Sequence, residues 1–253
     1  MSTIRKGPFY GVVAVMVVSS ILYFTILLAK PSILDTFTDF SVAVLSFLPV
    51  ISGFHLVNRY SLDSPFGKCF AFLTAGSSLW FLGEALWPVY TRILKVNMPF
   101  PSLSDLFWMS GYIFMGLGAY IIFTIFNPIY VLKRRIILLT LLLIAVSSVV
   151  TLILTPKIYK APPLNLVIYN YYLIADIVVL GLLSTVYRVF RGGKISKAWL
   201  ILTYGITIIL LADLFFNLAT SIESETYLLF SDLIYMNGYS LLALGFIAHA
   251  IEF

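Results

Sequence analysis

Five carboxylates, Glu84, Asp105, Asp176, Asp213 and Asp232, fall inside or at the rim of long apolar runs, and the runs as drawn from hydropathy hold no Lys or Arg to pair with them. An ionisable group at membrane depth is costly and marks a functional site by default. Helical spacing then says what accompanies each acid. Asp105, Trp108 and Tyr112 stand at i, i+3 and i+7, one face of a helix, and Asp232, Tyr235 and Tyr239 repeat that face near the C-terminus. Glu84 shares a face with Trp80 and Trp87, Asp213 has Phe216 and Asn217 one turn away, and Tyr169, Tyr172 and Asp176 follow the reverse order. Carboxylates flanked by aromatic rings suit a cation, through charge and cation–π attraction, or hold protons in a relay. The expected ligand-binding set is Glu84, Trp87, Asp105, Trp108, Tyr112, Tyr172, Asp176, Asp213, Asn217, Asp232, Tyr235 and Tyr239.

Simpler explanations compete for some of these acids. Ser102-x-x-Asp105 is a capping-box pattern, which accounts for Asp105 as a helix start. It does not account for Asp232, because Leu229 stands where the cap would be. Buried acids also hold helices together by bonding tyrosines, so a purely structural polar network is a second reading.

The elements that position these residues come in two copies. Ser104-Asp-Leu-Phe-Trp-Met-Ser-Gly-Tyr112 returns as Ser231-Asp-Leu-Ile-Tyr-Met-Asn-Gly-Tyr239, with six of nine positions identical, and Gly118 recurs as Gly245 at the same offset of 127. Upstream the offset is 129, pairing Arg59 with Arg188, Lys68 with Lys197, Glu84 with Asp213 and Trp87 with Phe216. Glycines two turns apart, Gly111 with Gly118 and Gly238 with Gly245, allow helices to approach closely.

With 61% hydrophobic residues, 11% charged and a mean hydropathy of +1.02, the chain is far from the roughly 25% charged residues of soluble domains. Apolar runs long enough to span a bilayer occur near 8–29, 40–58, 69–90, 104–127, 136–155, 166–187, 198–219 and 226–251. The expected fold is all-α: a polytopic membrane protein of eight transmembrane helices, built as two parallel four-helix repeats over 1–132 and 133–253. Pro49 sits mid-span and should kink the second helix. A cytoplasmic N-terminus puts eleven basic residues inside and five outside, so the positive-inside rule sets both termini in the cytoplasm of a cell membrane. The acids then occupy the outer half.

The net charge of +5 belongs to the loops between spans and sets topology, so nucleic acid is not an expected partner. A lone cysteine, Cys69, excludes an intrachain disulfide and a multi-thiolate zinc site. The Gly-x-Gly-Asp pattern of intramembrane aspartyl proteases is absent around Asp213, and His55 and His249 lie at the opposite depth from the acids, which argues against a histidine-assisted hydrolase. A haem held by those two histidines has no further spacing to support it. No catalysis, metal or cofactor is expected.

Trp80-x3-Glu84-x2-Trp87 followed by Pro99-Phe-Pro-Ser-Leu-Ser-Asp-Leu-Phe-Trp-Met-Ser-Gly-Tyr112 resembles the eight-helix membrane sensor region found ahead of GGDEF-type diguanylate cyclases and some histidine kinases. Ala212-Asp-Leu-Phe-Phe-Asn217 and Ser231-Asp-Leu-Ile-Tyr235 resemble that region's second half. The resemblance implies an input module, here without an output domain. Its expected partners are the lipid bilayer, a small cationic or polar ligand, and a separate cytoplasmic or membrane signalling protein. A proton or small-cation transporter and a structural subunit of a membrane complex are the alternatives.

Overall fold

A computed structural model describes residues 6–96, 98–126, 141–144, 148 and 163–252, and these are helical with short connections and no strand. Seven helices are long and apolar enough to cross a membrane, as expected of a multi-pass membrane protein. They are α1 (Gly7–Ala29), α2 (Leu34–Val57), α3 (Pro65–Pro88), α4 (Leu103–Phe126), α5 (Pro163–Phe190), α6 (Ser196–Ile222) and α7 (Glu225–Glu252). The fifth span expected from hydropathy, 136–155, lies outside the described residues except for helical 141–144 and 148.

Local chemistry sets the ends. Ser64 accepts a bond from the Gly67 amide at 3.0 Å ahead of Pro65, so a hydroxyl cap and a first-turn proline start α3 together. Glu223 takes a left-handed conformation (φ 53°) to close α6, and the Ser224 hydroxyl accepts from the Tyr227 amide at the start of α7. Two boundaries differ from the hydropathy reading. A short 3-10 turn, Pro31–Ile33, leads into α2 at Leu34, so Asp35 and Asp39 are helical residues; their polarity, with Thr36 and Thr38, masks that turn in a hydropathy window. At the far end of α3, Pro88 has no N–H to give the Glu84 carbonyl, and the chain widens into a π turn, Val89–Ile93, that carries Arg92. The expectation that no basic residue enters a span is therefore corrected: Arg92 belongs to the third span, Pro65–Ile93. Pro49 is buried inside an uninterrupted α2.

Helices α2 to α7 form a closed ring in which each packs on its sequence neighbour and α7 returns to α2; α1 stands outside, against α7 and α2. Only Tyr23 of α1 is buried, in a small cluster with Leu34 and Leu233 against which Ile26 also packs, and Ser20 accepts a bond from Asn237 of α7, so one face of the helix meets protein and the other is exposed.

The α3–α4 and α6–α7 pairs meet through matching positions. A methyl on Gly118 would stand 2.9 Å from Leu73, and one on Gly245 2.6 Å from Leu202, which is Leu73 displaced by 129. One on Gly111 meets Trp80 and the Gly76 carbonyl; one on Gly238 meets Ile209 and the Gly205 carbonyl, again 129 residues on. Without a Cβ at these places, backbones approach where lipid supplies no hydrophobic drive and dispersion must hold the pair.

Candidate functional site

At the end of the ring bearing the 94–102 connection, the helices enclose a cavity of about 300 Å³. Eleven of the twelve sequence-predicted residues line it: Glu84, Trp87, Asp105, Trp108, Tyr112, Tyr172, Asp213, Asn217, Asp232, Tyr235 and Tyr239. The twelfth, Asp176, is fully buried behind the wall and reaches the site through Tyr112.

Tyrosines crossing between the α3–α4 and α6–α7 pairs hold the acids. Tyr239 of α7 donates to Glu84 Oε1 of α3 at 2.6 Å, and Tyr112 of α4, 127 residues earlier, stands 2.9 Å from Asp213 Oδ2 of α6. Each helix pair thus presents a phenol to the other pair's acid. Tyr235 also donates to Asp213 Oδ1, while the Trp108 indole, its counterpart, lies beside Glu84. A phenol bonded to a carboxyl on another helix is a strut across the ring.

The N-terminal acids of α4 and α7 differ. Asp105 is buried, with Oδ2 accepting from the Ser102 amide (2.6 Å) and hydroxyl (2.7 Å) while the Asp105 amide donates back to that hydroxyl at 3.3 Å. This is the reciprocal cap the sequence suggested, with Asp in the usual Glu position. Asp105 Oδ1 accepts from Tyr172 at 2.8 Å, so both oxygens are engaged. Asp232 has no such cap; it is half-buried at the cavity and faces Thr38, Asp39 and Arg92.

Hydropathy missed this last group. Arg92 Nε donates to Asp39 Oδ2 at 2.6 Å, its Nη1 pairs with Asp35 Oδ2 at 2.9 Å, and the Thr91 hydroxyl donates to Asp39 Oδ2 at 2.9 Å. Asp39 lines the cavity together with Met98, Pro99 and Phe100. The available signal was the Asp35–Asp39 pair at i, i+4, one turn apart on a helix face.

Three half-buried carboxyls, Glu84, Asp213 and Asp232, therefore face the same space. Aromatic rings wall it: Trp87 lies 6.3 Å from Trp108 and 6.0 Å from Phe216, edge-on to the latter. No group of three or more His, Cys, Asp or Glu side chains is arranged for a metal ion among the described residues.

The opposite end of the ring is aromatic. His249 is buried, 4.5 Å from Phe70 and 5.9 Å from Trp199 between ring centroids, and its Nδ1 is 3.2 Å from the Tyr60 hydroxyl. Arg59 reaches the Ala250 carbonyl, so the 58–64 connection is clasped to the end of α7. Burial pushes the Tyr60 phenol above its ordinary range, with the Arg59 charge offsetting a part. His55 is exposed on α2, so the two histidines do not share an environment.

No family model matches this chain, and neither a curated protein nor a solved structure matches it.

Proposed function

We propose that the chain is a membrane sensory module whose cavity binds a small organic cation without chemistry and passes the event to a separate signalling protein. The observation that carries this reading is the convergence of Glu84, Asp213 and Asp232, half-buried and accompanied by a single guanidinium that Asp35 and Asp39 already engage. An ammonium group offers the charge these acids lack. Trp87, Trp108, Tyr235 and Phe216 favour an alkylated cation over a bare metal ion, at about 2 kcal/mol for a desolvated cation–π contact. The resemblance to the sensor region of diguanylate cyclases and histidine kinases points the same way. So does α7, which carries Asp232, Tyr235 and Tyr239 at the cavity and the Arg59-clasped Ala250 at its other end.

The cavity opens outward in this reading and both termini are cytoplasmic. At the described helix ends, Lys6, Arg59, Lys68, Arg188, Arg191, Lys194 and Lys197 gather at the end away from the cavity, against Lys30, Arg92 and Lys95 at the cavity end. Two four-helix repeats are part of the proposal, supported by the matching glycine contacts and the crossed tyrosines. An eighth span is also part of the proposal, supported by the ends of α4 and α5 lying at opposite ends of the ring. Phe126 packs 5.0 Å from Phe190 at one end of the ring, whereas Tyr169, near the start of α5, stacks 4.7 Å from Phe100 at the other.

Choline is a suitable probe, measured against matched sodium chloride. Wild type should melt at a higher temperature with choline, by mass action, and Asp232→Asn should keep the fold but lose most of that shift. Absence of any choline-dependent shift in wild type, or unfolding of Asp232→Asn, would remove the reading. Choline flux in proteoliposomes would replace sensing with transport.

A further inference from the structure

Behind the cavity wall, hydrogens do not balance unless an acid supplies one. The Tyr112 hydroxyl stands 2.8 Å from Asp176 Oδ1 and 2.9 Å from Asp213 Oδ2. A phenol has one hydrogen, so it donates fully to one of these oxygens and leaves the other contact as lone pair against lone pair. Asp213 Oδ1 already accepts from Tyr235. Asp176 is 0% exposed, and its Oδ2 is buried with no hydrogen-bond partner although the Asp213 carboxyl is its neighbour. Two facing carboxylates offer each other only acceptors, and a buried acceptor left unmatched is costly. One hydrogen on either acid makes the contact between them, or the second contact to Tyr112, a hydrogen bond.

No basic side chain supplies another remedy. Tyr112 faces the pair from α4, Tyr235 and Tyr239 from α7, Glu84 from α3 and Tyr172 from α5's own preceding turn, and among the described residues no Lys, Arg or His does. Every ionisable neighbour is an acid or a phenol.

We propose that the Asp176, Tyr112 and Asp213 cluster binds one proton and that an organic cation entering the cavity displaces it. Asp213 belongs to both places: it lines the cavity and closes the cluster. A cation drawn to its carboxylate favours the ionised form of the pair. The carboxylic O–H bond breaks, the proton leaves to water through the cavity, and the ammonium charge replaces the proton's, so charge balances. The exchange rests on the cavity being a cation site; the bound proton does not.

Infrared difference spectroscopy on the purified protein, without any ligand, tests the proton first. Wild type at neutral pH should carry a protonated-carboxyl carbonyl band that shifts in heavy water and is absent from Asp176→Asn. That variant keeps size, and its amide can donate to Asp213 where the acid's proton did, so it should fold. If it does not fold, Tyr112→Phe should instead move the band by removing its hydrogen-bond partner. No such band in wild type overturns the proposal. Calorimetric titration with choline in buffers of different ionisation enthalpy tests the exchange second. One proton should leave per choline, and affinity should rise about tenfold per pH unit while the free cluster is protonated. In Asp176→Asn that slope should vanish with binding retained. Choline binding with no proton released overturns the exchange. If choline does not bind while the band is present, the cation-site reading falls and the exchange with it, whereas the bound proton stands.

Discussion

The α3–α4 and α6–α7 pairs share their packing and differ in their polar chemistry. Gly111 and Gly238 close on Trp80 and Ile209 at the same depth, Gly118 and Gly245 on Leu73 and Leu202, and Tyr112 and Tyr239 reach across to the acid of the opposite pair. Around that frame almost every charged partner has changed. Asp105 is sealed by Ser102 and Tyr172, whereas Asp232 is open to the cavity near Arg92. Ile122 is buried in α4 at the position where α7 carries His249. Close packing tolerates few substitutions, because a methylene too many is felt directly. A polar side chain at a cavity can change partner without moving a helix.

Four substitutions sharpen or break this comparison. The largest effect is expected from Gly111→Ala, whose methyl would stand 2.3 Å from the Trp80 ring, itself held by a bond to the Trp108 carbonyl at 3.1 Å. It should cost about 2–3 kcal/mol. Gly238→Ala meets Ile209 Cγ1 at 2.7 Å, an aliphatic branch with no hydrogen bond to hold it, and should cost less, about 1 kcal/mol after the gain in helix propensity. Thermal melts in detergent measure both, and equal losses would mean that the bonded Trp80 ring yields as readily as Ile209.

Arg92→Gln comes next. It leaves Asp39 and Asp35 without their cation, and because the guanidinium side chain is 27% exposed the loss should be about 1–2 kcal/mol, below that for a fully buried pair. Choline should bind several-fold more tightly, since Asp232 loses the nearby positive charge. Weaker binding would mean that Arg92 shapes the site instead of competing with its ligand.

The smallest effect belongs to the far end. By the offset of 129, Val189 stands where Tyr60 does, so the contact of the Tyr60 hydroxyl with His249 has no matching phenol at that position. Tyr60→Phe should cost about 0.5–1 kcal/mol at neutral pH. The folded state favours the neutral phenol, so that contribution is intact below about pH 10, the ordinary tyrosine value, and is lost as pH rises beyond it. Denaturation followed from pH 8 to 11 should therefore fall more steeply for wild type than for Tyr60→Phe. Parallel curves would mean that Tyr60 ionises as freely folded as unfolded.

Much of the site was legible in the sequence because the matched stretches 104–112 and 231–239 single out the same residue types twice. Tyr112 and Tyr239 declare themselves as one position seen twice, and helical spacing then aligns them with the acids. The starts of α3 and α7, at Pro65 and Glu225, lie ahead of the runs drawn at 69–90 and 226–251, because polar capping residues such as Ser64 and Ser224 lower the hydropathy there. The start of α2 was masked too, because Asp35 and Asp39 lower the hydropathy of a segment whose helix is satisfied by Arg92 from 53 residues away. That pairing is tertiary, and depends on a π turn after Pro88 that no periodicity announces. The cavity ring also needed distances, since spacing says which residues share a face and not which faces meet.

The tryptophans give the molecule an optical consequence. Trp80, Trp87 and Trp108 line the cavity, while Trp199, the fourth and last in the chain, is sealed at the other end between Phe70 and Phe190. Three of the protein's four indoles therefore stand beside the acids. Occupancy of the cavity should be readable as a change in emission from three indoles, against a fourth that serves as the internal standard.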